Sequence, residues 1–462
     1  MKRLDKICMY LFNYQADALI IGQSGIVLQK DGKERSLSNK AKETNELNAI
    51  LKEAIGLTVT DITQEIQYHP QGRPPITINL RGETNRLELE IKPVPASSQI
   101  PPEKSPIINQ LFDSALSTGA SDLHLTTNQK PILRIDGELK PLDDFDDINI
   151  TLMEDLINTI TPLRFKDVFR KNKDCDFAFS YENKCRFRIN LFTDKTGPAA
   201  VMRIIPNKIK TPDELNIPES VKKLINSPKG LILFTGTKGS GKSTLVASLI
   251  EHINNSSSKH IITLEDPIEY IITSRKSIVN QREIGEHSIS FKQALKSTLR
   301  EDPDIIYISE LNDPEHILAA LELAENGCLV LATFMSASSY MTIERIIELF
   351  PEEKKDIIRI MIAENLLGVV TKILLKSTSN QKISAYEVLV INKAISNLLK
   401  EKKSYQIPSA MQAASENGMI LLNDFLLDLI KKKEISNEEA LAKSIDVKSL
   451  RSSLVKMGYL TQ

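Results

Sequence analysis

Apolar and polar positions along the chain change period several times, and each change marks a segment. Over 107–120 the apolar residues Ile108, Leu111, Phe112 and Leu116 recur at three- and four-residue spacing, which predicts an amphipathic helix. Short alternating runs follow at 122–126, 131–135, 174–179, 185–192 and 199–205, each reading as a strand. Asp136-Gly137 supplies a hairpin turn between two of them. From Gly230 the pattern becomes continuous apolar runs, at 231–235, 259–264, 305–309 and 328–333, alternating with helical stretches. Such alternation is the signature of a parallel sheet. From about Pro351 helix is expected to dominate to the end, and Leu421, Leu422, Phe425, Leu426 and Leu429 form a stripe suited to core packing.

Breaks in the pattern divide the chain. Pro93, Pro95, Pro101, Pro102 and Pro106 lie in one stretch without apolar periodicity, so 93–106 reads as an extended linker. A second hinge is expected across 207–229. The predicted layout is an extra α+β module over 1–92, an α+β domain over 107–206, a P-loop α/β domain over 230–380 and a helical region over 381–462.

The first module echoes the second. Ala16-Asp17-Ala18-Leu19 with 26–32 parallels Ser121-Asp122-Leu123-His124 with 132–137, and Ile76-Thr77-Ile78-Asn79-Leu80 parallels Phe187-Arg188-Ile189-Asn190-Leu191. The pattern predicts that 10–93 is a degenerate copy of 107–206. A chance likeness of two short hairpins gives the same echo, and strand order separates the two.

Composition narrows the class. With 41% hydrophobic and 26% charged residues the chain is globular, and its net charge of −1 offers no overall attraction to nucleic acid or an anionic membrane. Cys8, Cys175, Cys185 and Cys328 are scattered without a C-x-x-C pair, so a disulfide framework or structural zinc site is not expected. No apolar run reaches the roughly 18 residues of a membrane span. The basic start lacks an apolar signal core. A cytoplasmic protein is expected, without direct membrane insertion and without a nucleic-acid partner.

The chemistry starts at Gly236-Thr237-Lys238-Gly239-Ser240-Gly241-Lys242-Ser243-Thr244, which follows an apolar strand and opens a helical run. Glycines let backbone N–H groups curl around phosphates, and the helix N-terminus adds partial positive charge. Lys242 is expected on the β- and γ-phosphates and Ser243 on magnesium, so the cofactors predicted are ATP and Mg²⁺. The apolar run ending at Glu310 has the layout of a Walker B strand. There Glu310 orients water or holds the magnesium shell. Glu265-Asp266-Pro267-Ile268-Glu269 is a second strand end rich in acids.

In combination these motifs resemble the secretion ATPases of type IV pili and type II secretion, over roughly 107–450. Ser121-Asp122-Leu123-His124-Leu125, Arg134-Ile135-Asp136-Gly137, Cys185-Arg186-Phe187-Arg188-Ile189-Asn190 and Arg203-Ile204-Ile205-Pro206 resemble the family's N-terminal domain. Glu265 to Glu269 matches its Asp box, and Asn280-Gln281-Arg282-Glu283 and Leu299-Arg300-Glu301-Asp302-Pro303-Asp304 are close to its wording. The resemblance implies a RecA-like nucleotide domain preceded by a PAS-like domain. It makes Glu265 and Glu310 catalytic carboxylates and gives Arg186, Arg188 and Arg203 to the γ-phosphate.

Absence of a four-cysteine insertion, and Ala394-Ile395-Ser396-Asn397-Leu398, favour the PilT-type retraction branch. That branch implies a hexameric motor for pilus retraction and twitching motility, sited at the inner-membrane base of the machine. Its implied partners are copies of itself, another pilus ATPase in a mixed assembly, and the membrane platform protein. Three positions depart from the family. Met335 stands where a histidine is usual, Asn312 replaces an arginine, and Ser396 replaces the arginine of A-I-R-N-L. They leave two readings: an active diverged motor, or a hydrolysis-impaired regulatory paralogue that binds ATP and modulates a partner motor.

Overall fold

The computed structural model describes residues 18–22, 25–30, 33–38, 64–68, 76–83, 86–93, 106–379, 381–414 and 418–460. The chain divides into two compact units, Met1–Lys104 and Ser105–Gln462. Most of the proline-rich stretch, and Ala16, Asp17, Asp31 and Gly32 of the internal echo, lie outside the described residues.

The first unit holds β1 (Ala18–Gly22), β2 (Gly25–Lys30), β3 (Lys33–Ser38), β4 (Gln64–Tyr68), β5 (Ile76–Glu83) and β6 (Arg86–Pro93). They form one antiparallel sheet in the order β3-β2-β1-β6-β5-β4.

The second unit opens with α1 (Pro106–Ser117), β7 (Asp122–Thr126), β8 (Ile132–Ile135), β9 (Glu138–Pro141), α2 (Ile150–Ile160), α3 (Leu163–Asn172), β10 (Asp174–Tyr181), β11 (Cys185–Asp194) and β12 (Gly197–Pro206). The strands run in the order β10-β11-β12-β7-β8-β9, and α1 packs Phe112 against Tyr181 and Phe187 with ring centroids 5.1 and 4.7 Å apart. Strand alternation decides what happens to β11. Cys185, Phe187, Ile189 and Leu191 are buried in this core, so Arg186, Arg188 and Asn190 project from the opposite face.

A seven-stranded sheet follows, from β13 (Gly230–Thr235), β14 (His260–Glu265), β15 (Ile278–Glu283), β16 (Ile305–Ile308), β17 (Leu329–Phe334), β18 (Leu366–Lys376) and β19 (Lys382–Val390), ordered β15-β14-β16-β17-β13-β18-β19. Every pairing is parallel except β18 with β19. Its helices are α4 (Glu219–Leu224), α5 (Lys242–Ser256), α6 (Phe291–Thr298), α7 (Pro314–Glu325), α8 (Ser339–Glu348) and α9 (Glu352–Asn365). The sheet is buried on both faces. Leu231 and Leu233 of β13 join one apolar cluster while Ile232 and Phe234 join the other. Each such side chain contributes about 1.5–3 kcal/mol on burial, so the strand that carries the glycine loop is firmly seated.

Downstream, the expectation of helix from Pro351 fails at β18 and β19. The hairpin spans the point, residue 380, at which the sequence reading ended the sheet domain. The apolar stretch 366–375 is short enough to suit a buried helix or strand, and Val369, Val370 and Thr371, paired with β13, and Ile373, paired with β19, tip it to strand. Helices do resume as α10 (Lys393–Lys400), α11 (Ile407–Ala413), α12 (Leu422–Lys431), α13 (Asn437–Lys443) and α14 (Val447–Lys456). The leucine stripe serves as core, with Leu422, Leu426 and Leu429 of α12 clustering with Leu450 and Leu454 of α14. Among the described residues no helix is long and apolar enough to cross a membrane.

Candidate functional site

The C-terminal ends of β13, β14 and β16 open onto one crevice, the place where open α/β sheets bind ligands. β13 stops at Thr235, whose hydroxyl lies 2.7 Å from that of Thr371 on β18. The chain then turns tightly at Gly236. A Cβ there would sit 2.4 Å from both the Lys372 carbonyl oxygen and Ser240 Oγ, so only glycine fits. Gly241, at φ 83°, starts α5 without any side-chain cap. The first-turn amides of α5 therefore lack a side-chain acceptor and stay available to an anion.

Lys242 folds back over the loop, its ammonium donating to the carbonyls of Gly236 (2.8 Å) and Thr237 (3.1 Å). Burial lowers its pKa, opposed by Glu310 and Glu269. Ser240 Oγ is buried without a hydrogen-bond partner. An orphaned hydroxyl, uncapped amides and an ammonium resting on carbonyls together make a cradle that fits a phosphate chain.

Carboxylates gather opposite. Glu265, at the end of β14, is buried; Thr263 Oγ1 donates to it at 2.7 Å and Gln281 Nε2 at 3.1 Å. Burial pushes its pKa up to about 7. Ser243 and Glu265 line the same small cavity, with Tyr270, Gln281 and Tyr307. Glu310 lies two residues past the end of β16. Tyr307 on that strand feels Glu265, Glu269 and Glu310 together, which adds to the effect of burial in raising its pKa. The loop is tied to the Asp-box segment by Thr244 Oγ1, 2.9 Å from the Tyr270 hydroxyl.

The three arginines divide. Arg186 Nε donates to the Ile268 carbonyl at 2.7 Å, and Arg188 Nη1 donates to Glu269 Oε1 at 2.9 Å. Both reach the segment just past Glu265. Arg203 does not: it pairs with Asp122, its register partner on β7, at 3.0 Å. Of the departures, Met335 and Asn312 are exposed, and Ser396 Oγ donates to the Ala363 carbonyl at 2.9 Å. His124 carries a buried Nε2 with no partner.

Three residues carry roles that the sequence did not assign, although Gln281 and Glu283 stand in one of the family-like stretches. Glu283 is buried and binds Arg164 at 2.6 Å and the Ile268 amide at 3.0 Å, bracing the Asp-box segment. Gln281 holds Glu265. Lys372 lies under the glycine loop, and its signal was present as a lysine interrupting the apolar run 366–375.

The family model described as "Type II/IV secretion system protein" matches residues 101–453. The chain belongs to that family. Within it, the type IV pilus retractation ATPase PilT of Pseudomonas aeruginosa is 38% identical over 337 residues, covering 73% of this chain and 98% of that protein. A twitching motility protein of Neisseria gonorrhoeae is 36% identical, covering 72% of this chain and 89% of its own. A crystal structure of the pilus retraction motor PilT with bound ADP superposes with a TM-score of 0.68 at 39% identity, over 75% of this chain and 99% of that one. The resemblance to the retraction branch read from the motifs is thus carried by these relatives, while residues 1–100 lie outside the family match.

Proposed function

We propose that this chain is an ATP-driven motor subunit of a type IV pilus or related secretion machine, of the retraction type. The observation that carries the reading is the cradle of Gly236 to Ser243 facing Glu265 and Glu310, in a chain 38% identical to PilT along nearly all of PilT's length. Lys242 holds the β- and γ-phosphates. Ser243 and Glu310 hold magnesium, which when bound offsets the phosphate charge. Glu265 orients the attacking water and accepts its proton. Arg186 and Arg188, released from Ile268 and Glu269, turn toward the γ-phosphate, and Arg203 joins them only by leaving Asp122. A hexameric ring at the cytoplasmic base of the machine, working against a membrane platform protein, completes the reading. In a magnesium-dependent ATPase assay on the purified oligomer, Lys242→Ala should reduce turnover at least ~100-fold. Equal rates for the two proteins would end the proposal.

Met335 and Asn312 favour a second reading, a subunit that binds ATP and hydrolyses it poorly, because each puts an uncharged side chain where the resemblance implies a histidine or an arginine. Tight ADP binding with negligible turnover in the same assay would select it.

The layout with a degenerate copy over 10–93 is also part of this proposal. Its support is strand order, β3-β2-β1-β6-β5-β4 matching β9-β8-β7-β12-β11-β10, and register throughout. Leu19 pairs with Leu28 as Leu123 pairs with Leu133, and Leu28 with Arg35 as Leu133 with Lys140. Ile20 pairs with Glu90 as His124 with Val201, Ile78 with Ile91 as Ile189 with Met202, and Glu65 with Asn79 as Asp176 with Asn190. This register moves the first strand by one residue from the sequence echo, so Ala18 takes the place of Asp122. Thr77 then stands for Arg188 and Lys92 for Arg203, which leaves the copy without the arginine set.

A further inference from the structure

Lys372 has no part in the mechanism above, yet it is 2% exposed and sits on β18 directly beneath the glycine loop. Its ammonium donates to the Gly241 carbonyl at 3.2 Å, and a Cβ on Gly241 would come within 2.8 Å of it. No carboxylate pairs with it among the described residues. The charge that acts on it is another cation, Lys210, and burial holds its pKa at about 8. An ammonium in such a place is costly unless an anion arrives to offset it.

The geometry says which anion. The Gly241 carbonyl that receives Lys372 belongs to the same peptide group as the Lys242 N–H, the first amide of α5. Hydrogen bonding at the oxygen polarises that peptide and makes its N–H a stronger donor. The buried, unpartnered Ser240 Oγ lies beside the same loop. We propose that Lys372 is a positioning residue of the phosphate site, charging the loop from the sheet side so that it grips the diphosphate of a nucleotide. The cost of the buried charge falls on the empty protein and is relieved on binding.

This inference rests on the nucleotide reading, and one experiment separates the two. ADP affinity by calorimetry, and the unfolding temperature without nucleotide, are measured on the full chain, on Lys372→Gln, which keeps an N–H donor without charge, on Lys372→Met, and on Lys242→Ala. Both Lys372 variants should bind ADP about tenfold more weakly, while unfolding at the same or a higher temperature than the unaltered chain when empty. Lys372→Gln binding like the unaltered chain overturns the proposal, whether or not Lys372→Met is weakened, since a hydrogen bond would then suffice. A lowered unfolding temperature in both variants overturns it too, because Lys372 would then be holding the empty fold. If the unaltered chain itself binds no ADP, the nucleotide reading fails instead.

Discussion

Glu265 and Glu310 flank the same crevice in different surroundings, and the difference has a measurable consequence. Burial raises Glu265 to about 7, although Thr263 and Gln281 both donate to it and favour its charged form. A carboxylate that must accept a proton from water is useful only when ionised. With its pKa raised, Glu265 is ionised above about pH 7 and protonated below it. The value of kcat/KM for ATP should therefore fall close to tenfold per pH unit below about 7, measured in steady state on the free enzyme. A flat profile down to pH 5.5 would remove Glu265 from the role. Residues of this kind differ in how visible they are in the sequence. Lys242 and Ser243 were legible because their loop is a local pattern with a strand before it and a helix after. Lys372 showed only as a lysine interrupting an apolar run, since its meaning depends on β18 lying under a loop about 130 positions earlier, a distance no local pattern encodes.

At the scale of elements, the β18–β19 hairpin was the main misreading and is also a structural anchor. Glu387 on β19 is buried and accepts from Ser339 N at 2.7 Å, Ser339 Oγ at 2.6 Å and Ser338 Oγ at 3.2 Å, so a strand carboxylate caps the start of α8. An anion at a helix N-terminus is favourable in itself, and removing it strands three buried donors. Glu387→Ala should cost about 3 kcal/mol of stability, read as a lower midpoint in urea unfolding. Pairings such as this escape sequence reading because the cap is not contiguous with its helix. By contrast β13, β14, β16 and β17 were legible, since strands buried on both faces produce uninterrupted apolar runs.

Across the whole molecule, the seven-stranded sheet and the sheet of 122–206 carry the residues assigned to chemistry, and the unit Met1–Lys104 carries none of them. A chain beginning at residue 105 should therefore bind ADP and hydrolyse ATP within about twofold of the full chain, as expected of a compact unit with its own core. Loss of binding on that truncation would give the first unit a direct part in the site. Five of the six strands of 107–206 were readable from period alone; β9, an exposed edge strand of four residues, was not. Its helices α2 and α3 were not, because each is short and α3 is strongly polar, which blurs the apolar stripe.

The clasp that Ile268 and Glu269 hold on Arg186 and Arg188 joins two sheets through the very segment that carries Glu265. Linkage makes such a clasp work in both directions. If a bound nucleotide changes the free energy of parting those sheets, then a load that strains them apart must change nucleotide affinity by the same factor. In the motor proposed above, a stalled load would then be registered at the phosphate loop as altered occupancy, with no separate sensor for tension.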